Sequence, residues 1–217
     1  MMTLPLFDES TAARTVVPLG EQAFVLRGFA LDDARALLDA ITRVEQRSPF
    51  RHMQTPGGFT MSVALTNCGR FGWTTDRHGY QYTELDPLTG AAWPAMPEVL
   101  WRLARSAAAE TGFPDFTPDA CLVNRYAPGS RLTLHQDKNE RAFDAPIISV
   151  SLGIPATFLF GGHKRTDPAA RIPLRHGDVA VWGGVDRLRF HGVQPLDEAV
   201  HPVVGAHRFN LTLRRTG

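Results

Sequence analysis

From Asp119 to its C-terminus the chain is cut into short extended runs by turn residues, and this limits the folds open to it. The runs fall at 120–126, 131–137, 146–152, 156–160, 171–174, 178–183, 188–193 and 208–214, each of strand length. Short strands at this spacing pair as antiparallel sheets, and a series of them predicts a sandwich or jelly roll. Glycine and proline number 19 and 16, above the usual share of a soluble chain and in keeping with many turns. No apolar run approaches the length needed to cross a bilayer as a helix, so no membrane association is expected.

Two helices precede this region. Ala34, Leu37, Leu38, Ile41 and Val44 recur at helical spacing within 31–46, with Asp32 and Asp33 placed for the start and Ser48-Pro49 for the end. Pro97 to Thr111 reads as the second: Pro97 suits a first turn, Leu100, Leu103, Ala104, Ala107 and Ala108 form a stripe, and Gly112 follows. Residues 1–23 carry no firm pattern. Between the helices, Pro56-Gly57-Gly58, Asn67-Cys68-Gly69 and Asp86-Pro87 read as turns among the aromatics Phe59, Phe71, Trp73, Tyr80 and Tyr82. The expectation is a mainly β (α+β) protein in which 1–118, a helical layer with aromatic loops, is built onto a barrel at 119–217 and is not independent of it.

Several chemistries are excluded by motif. The chain lacks G-x-G-x-x-G, a P-loop, G-x-S-x-G, H-E-x-x-H and C-x-x-C. Cys68 and Cys121 are too few for a disulfide framework or a zinc cluster. Met1 to Glu9 has neither a basic nor an apolar leader segment, so a cytoplasmic protein is expected. Lys plus Arg total 23 against 22 for Asp plus Glu. That balance excludes a polybasic protein but leaves room for a local patch that binds phosphates.

Histidine–carboxylate chemistry remains. In His135-Gln136-Asp137, residues two apart on a strand share a face, so both side chains can reach one ion. A further histidine would complete a facial triad of two histidines and a carboxylate, which leaves open positions on Fe(II); His191, His201 and His207 are the candidates. His176-Gly177-Asp178 has the same spacing, but its Gly-Asp reads as a turn feeding a buried strand. On 208–214 the polar Arg208, Asn210, Thr212 and Arg214 share one face, opposite Phe209, Leu211 and Leu213. Two arginines on an apolar strand are costly without an anion, and a small dicarboxylate would satisfy them through paired hydrogen bonds. Solvated arginines on an exposed face are the alternative. Asn124 and Tyr126 offer donors in the same way.

Taken in order, the motifs resemble a known family. They are Asn124-Arg-Tyr-Ala-Pro-Gly129, His135-Gln-Asp-Lys138, Pro146-Ile-Ile-Ser-Val-Ser-Leu-Gly153, His176-Gly-Asp178, Trp182-Gly-Gly184, His191-Gly192 and Arg208-Phe-Asn-Leu-Thr-Leu-Arg214. Upstream stand Thr55-Pro-Gly-Gly58, Asn67-Cys-Gly69, Gly72-Trp-Thr-Thr75 and Trp93-Pro-Ala-Met-Pro97. The set is similar to the AlkB family of bacterial alkylation-repair dioxygenases over most of the chain from about residue 24. The resemblance implies a double-stranded β-helix (jelly roll) with N-terminal helices and a nucleotide-recognition lid, using Fe(II), 2-oxoglutarate and O2. It implies His135, Asp137 and His191 as iron ligands and Asn124, Tyr126, Arg208, Asn210 and Arg214 as the 2-oxoglutarate site. Arg208 would take the distal carboxylate.

The implied reaction is oxidative demethylation of 1-methyladenine and 3-methylcytosine in DNA, single-stranded or flipped from a duplex, and by extension RNA, by a monomer. Trp73 would stack on the damaged base with the His135 ring opposite. Thr55, Phe59, Met61, Tyr80 and Tyr82 would form the lid, and Lys138 and Arg165 would contact substrate. His163, Lys164, Arg70, Arg77, Arg171 and Arg175 are further phosphate candidates, each alone readable as solvated surface. One departure stands out: the family pattern has an acidic residue two places after the iron aspartate, and here that place holds Asn139. A hydroxylase of a small molecule or a protein is the competing enzyme reading, and a jelly-roll binding protein without catalysis the competing class.

Overall fold

A computed structural model describes residues 14–217. The segment read for a leader lies outside the described residues. In chain order the elements are β1 (Thr15–Pro18), β2 (Ala23–Arg27), α1 (Ala34–Arg47), β3 (Ala64–Gly69), β4 (Gly72–Asp76), β5 (Gly79–Thr83), α2 (Glu98–Glu110), β6 (Ala120–Tyr126), β7 (Leu132–His135), β8 (Ile147–Gly153), β9 (Ala156–Phe160), β10 (Ala170–Leu174), β11 (Val179–Trp182), β12 (His191–Val193) and β13 (Arg208–Arg214). They form a jelly roll. One sheet runs β1-β2-β11-β8-β13-β6-β3, a second runs β10-β9-β12-β7, and β4 with β5 makes a separate hairpin.

Apart from its exposed edge strand β1, the seven-stranded sheet is buried on both faces, and strand alternation sorts its side chains. Ile148, Val150, Leu152, Leu211, Leu213, Cys121 and Val123 point to one side and pack under α1 and α2. The helices answer with Leu37, Ile41, Val44, Leu100 and Leu103, all buried. Each such Leu or Ile is worth about 1.5–3 kcal/mol in area removed from water. The other face meets the four-stranded sheet, where Phe158, Phe160, Ile172, Trp182 and Val193 close the interior. Arg208, Asn210, Thr212 and Arg214 point into this interior and are buried. The solvated-face alternative for these arginines is therefore wrong.

Several sequence expectations need correction. Within residues 1–23, read as patternless, the described part from residue 14 contributes β1 and the start of β2, and β2 pairs with β11. Asn67-Cys68-Gly69 is no turn but the end of β3, laddered to β6. Cys68 and Cys121 lie directly opposite each other there, both buried and unbridged. Asp33 begins α1 without a capping hydrogen bond; its carboxylate accepts from Arg102 of α2 at 2.9 Å. The run at 131–137 stops pairing at His135, and that at 188–193 shortens to β12.

Candidate metal and cosubstrate site

The short strand β12 is flanked by β7 and β9, and its register sets His191 directly across from His135. A glycine must follow, since a Cβ on Gly192 would come 2.7 Å from the Leu132 carbonyl. The two imidazole centroids stand 4.5 Å apart. Each ring is turned by its own backbone: His135 Nδ1 lies 2.8 Å from the Thr133 carbonyl and His191 Nδ1 lies 3.0 Å from that of Arg189. Carbonyls only accept, so Nδ1 carries the proton in both rings and Nε2 is left as a bare donor to a metal. Both Nε2 atoms face Asp137, at 3.7 Å from Oδ1 for His135 and 3.6 Å from Oδ2 for His191. The three ligand atoms lie within 4.8 Å of one another. Two imidazoles and one carboxylate converging on one point are a donor set suited to Fe(II).

Electrostatics favours the ligand forms. Burial, reinforced by the His191 ring, draws His135 down to about 4. Burial would raise the Asp137 carboxyl, but the Arg214 guanidinium and His191 hold it well below the usual carboxylate range. Arg214 donates to Asp137 Oδ2 through Nη2 at 2.5 Å and Nε at 3.1 Å. Asp137 itself lies two residues beyond the end of β7, so the sheet ladder does not hold it. Sequence spacing placed it inside the strand; the structure instead ties it with arginines.

One cavity of about 860 Å³ contains the triad and runs from the barrel interior to the surface. At its buried end stand Arg208, Asn124, Tyr126 and Asn210. Ser151 accepts one bond from Arg208 Nη2 at 3.0 Å. Arg208 Nε and Nη1, the Tyr126 hydroxyl and Asn124 Oδ1 find no hydrogen-bond partner among the described residues. Burial pushes the Tyr126 hydroxyl up, so it remains a donor. Buried, unpaired donors beside an arginine fit a carboxylate-bearing ligand. Asn210 is held by Ser149 Oγ at 2.8 Å and the Val150 carbonyl at 3.0 Å.

Toward the surface the cavity is lined by Trp73, Tyr80, Met61, Thr55, Phe59, Lys138, Asn139 and Arg165. Trp73 stacks on Tyr80, with centroids 5.6 Å apart and planes at 21°. Its backbone is pinned by Asn67, which accepts from Trp73 N and donates to Trp73 O, both at 3.0 Å. Thr55 opens a turn completed by Gly58 at φ 78°, and this leaves Phe59 77% exposed. Tyr82 is a correction. It does not line the cavity, and its hydroxyl donates to Glu140 at 2.6 Å. Of the candidates for the substrate strand's phosphates, Lys138 and Arg165 reach the cavity; Arg70 pairs with Glu84. His176-Gly-Asp178 is structural, as Asp178 accepts from Arg27, Gly28 N and Arg175 N.

Sequence reasoning missed Glu140, Arg187, Asn67, Ser149 and Ser151. A signal existed for the serines, which alternate with Ile148, Val150 and Leu152 just as the polar residues of β13 do. None existed for Arg187, which reaches the site from an irregular loop.

Comparison with known proteins agrees with this geometry. The model of the 2OG-Fe(II) oxygenase superfamily matches residues 22–214. The Salmonella typhimurium alpha-ketoglutarate-dependent dioxygenase AlkB is 58% identical over 198 residues, 91% of this chain and 92% of that protein. Its Escherichia coli counterpart is 56% identical over 200 residues, covering 92% and 93%. The solved structure of OsALKBH1 superposes with a TM-score of 0.80 at 27% identity, over 93% of this chain and 100% of that one.

Proposed function

The chain belongs to the 2OG-Fe(II) oxygenase superfamily, and from that premise we propose that it removes N-alkyl groups from bases such as 1-methyladenine and 3-methylcytosine in DNA, and in RNA as a second substrate. One observation carries this: a single cavity joins a His–Asp–His triad, a buried carboxylate cradle and an aromatic-walled opening. His135, Asp137 and His191 would hold Fe(II). Arg208, Tyr126 and Asn124 would bind 2-oxoglutarate, with Arg208 on the distal carboxylate, Asn210 beside it and Arg214 toward the keto-acid end. Iron held there would supply oxygen activation coupled to decarboxylation of 2-oxoglutarate to succinate, one oxygen atom going to the N-methyl carbon, which would then be lost as formaldehyde.

The protein's own groups handle the base. The target cannot reach the triad from inside a stacked duplex, so it is single-stranded or flipped, at a cost of a few kcal/mol that a base unable to pair reduces. Tyr80 backs one face of Trp73, leaving the other to stack on a base for about 1–3 kcal/mol. The lesions are cationic, and an indole face adds cation–π attraction. The turn carrying Thr55 and Phe59 and the hairpin β4–β5 act as the lid. Lys138 and Arg165, both exposed at the rim, take the strand's phosphates. Asn139 reaches the base's polar edge with an amide in place of a carboxylate. Action as a monomer in the cytoplasm completes the proposal; among the described residues no helix is long and apolar enough to cross a membrane.

The test is formaldehyde release from a 1-methyladenine oligonucleotide with Fe(II) and 2-oxoglutarate. Release that disappears in Asp137→Ala is expected. Decarboxylation of 2-oxoglutarate without demethylation of any oligonucleotide would point to a small-molecule or protein hydroxylase instead.

A further inference from the structure

Asp137 lies outside the sheet, yet its carboxylate must meet both histidines. Two arginines hold it. Arg214 takes its side chain at 2.5 Å, and Arg187 Nη1 donates to its backbone carbonyl at 2.8 Å. A second buried carboxylate, Glu140, faces both. Its Oε1 lies 3.3 Å from Arg214 Nε and its Oε2 lies 3.2 Å from Arg187 Nη2. Glu140 is 4% exposed and Arg187 2%. Its remaining partner is Tyr82 of β5, whose hydroxyl donates at 2.6 Å. Tyr82 stands directly across the hairpin from Trp73.

We propose that Glu140 is a positioning residue that couples the β4–β5 hairpin, through Tyr82, to the Asp137 carboxylate, through Arg214 and Arg187. Two carboxylates and two arginines taken out of water are a poor means to stability, since an apolar cluster of similar volume does as well or better. Such a cluster would leave Asp137 unplaced. The network fixes where that carboxylate points, and it makes the same fixture sense the hairpin that carries the base-stacking indole. Ordering the hairpin over a nucleic acid and ordering the metal site are then reciprocal, as any coupling free energy requires.

This rests on the metal-site reading above, and the experiment separates the two. Co(II) affinity of the full chain is measured by its visible absorption under nitrogen. Amide exchange of residues 72–83 is followed with and without Co(II) plus 2-oxoglutarate. Tyr82→Phe keeps the ring and loses only the hydroxyl; Glu140→Gln keeps an acceptor and loses the charge. Glu140→Gln should weaken Co(II) binding by about 10–100-fold, the range for partners of ligating groups. Tyr82→Phe should weaken it by a smaller factor and abolish the metal-dependent slowing of exchange in the hairpin. The double variant should bind no worse than Glu140→Gln alone. Wild-type affinity and wild-type exchange in Tyr82→Phe would overturn the coupling, as would additive losses in the double variant. A Glu140→Gln protein that does not fold leaves Tyr82→Phe to decide. Wild-type Co(II) affinity in Asp137→Ala would instead remove the metal site itself, and the coupling with it.

Discussion

Replacing Arg208 by methionine should separate what this residue does for the fold from what it does for the cosubstrate. The guanidinium is 1% exposed, bonds once to Ser151 at 3.0 Å, and leaves Nε and Nη1 unpaired among the described residues. Burial lowers its basicity. Unsatisfied buried donors cost about 1–3 kcal/mol each, and the single bond to a charged group returns about 1.5–3 kcal/mol. The guanidinium also sits 5.0 Å from the Tyr126 ring centroid, a cation–π contact of up to about 2 kcal/mol when desolvated. Gains and losses nearly cancel, so the ligand-free variant should unfold within about 2 kcal/mol of wild type, on either side.

Cosubstrate binding should respond differently. A carboxylate received on one forked edge of the guanidinium makes two charge-assisted bonds, together about 3–6 kcal/mol. At 1.4 kcal/mol per decade, their loss weakens 2-oxoglutarate binding by about 100- to 10,000-fold. The assay is thermal unfolding with Mn(II) under nitrogen across a 2-oxoglutarate titration, where stabilisation grows as RT ln(1 + [L]/Kd). Wild type should gain stability at low cosubstrate and the variant only at concentrations at least about 100-fold higher. A variant that keeps the wild-type response would refute Arg208 as the carboxylate receptor. A ligand-free loss above about 4 kcal/mol would show that the residue is needed to hold the barrel together.

Three further outcomes are expected. Trp73→Ala should raise KM for a 1-methyladenine oligonucleotide by about 5–150-fold, the loss of about 1–3 kcal/mol of stacking, while metal-dependent 2-oxoglutarate binding stays as in wild type; an unchanged KM removes the indole from base recognition. Asn139→Asp should raise turnover of cationic 1-methyladenine relative to a neutral etheno adduct, and a constant ratio between the two substrates sinks the electrostatic argument. In the metal-free protein the His135 ring resonances should titrate near pH 4, against about 6.5 in an unfolded chain. Between those values the unfolded chain binds the extra proton, so this group's contribution to stability is present above about pH 6.5 and is lost as pH falls toward 4; a ring midpoint of 6 or higher refutes the lowered basicity of this ring.

Much of the barrel was legible because alternation survives in a strand whatever its neighbours do. The polar face of 208–214 was visible as a costly pattern, and its burial follows from that cost. Helix periodicity placed both helices to within a few residues. Where the pattern failed, pairing decided. β2 is strand because β11 offers it a ladder, and Asn67 sits in a strand despite its turn-forming neighbours because its side chain is spent on Trp73.

The sequence by itself determined the fold class, the pair His135 and Asp137, and the row of polar groups waiting for an anion, since each is written in residues that are near one another along the chain. Spacing left His191, His201 and His207 open and the family resemblance named His191; the tertiary structure supplies the physical reason, because β12 meets β7 across 56 residues of chain. It alone moved Tyr82 out of the cavity and brought Glu140 and Arg187 to Asp137. Those contacts join charged side chains from separate loops, and the affinity of one buried charge for another leaves no period in the sequence to read.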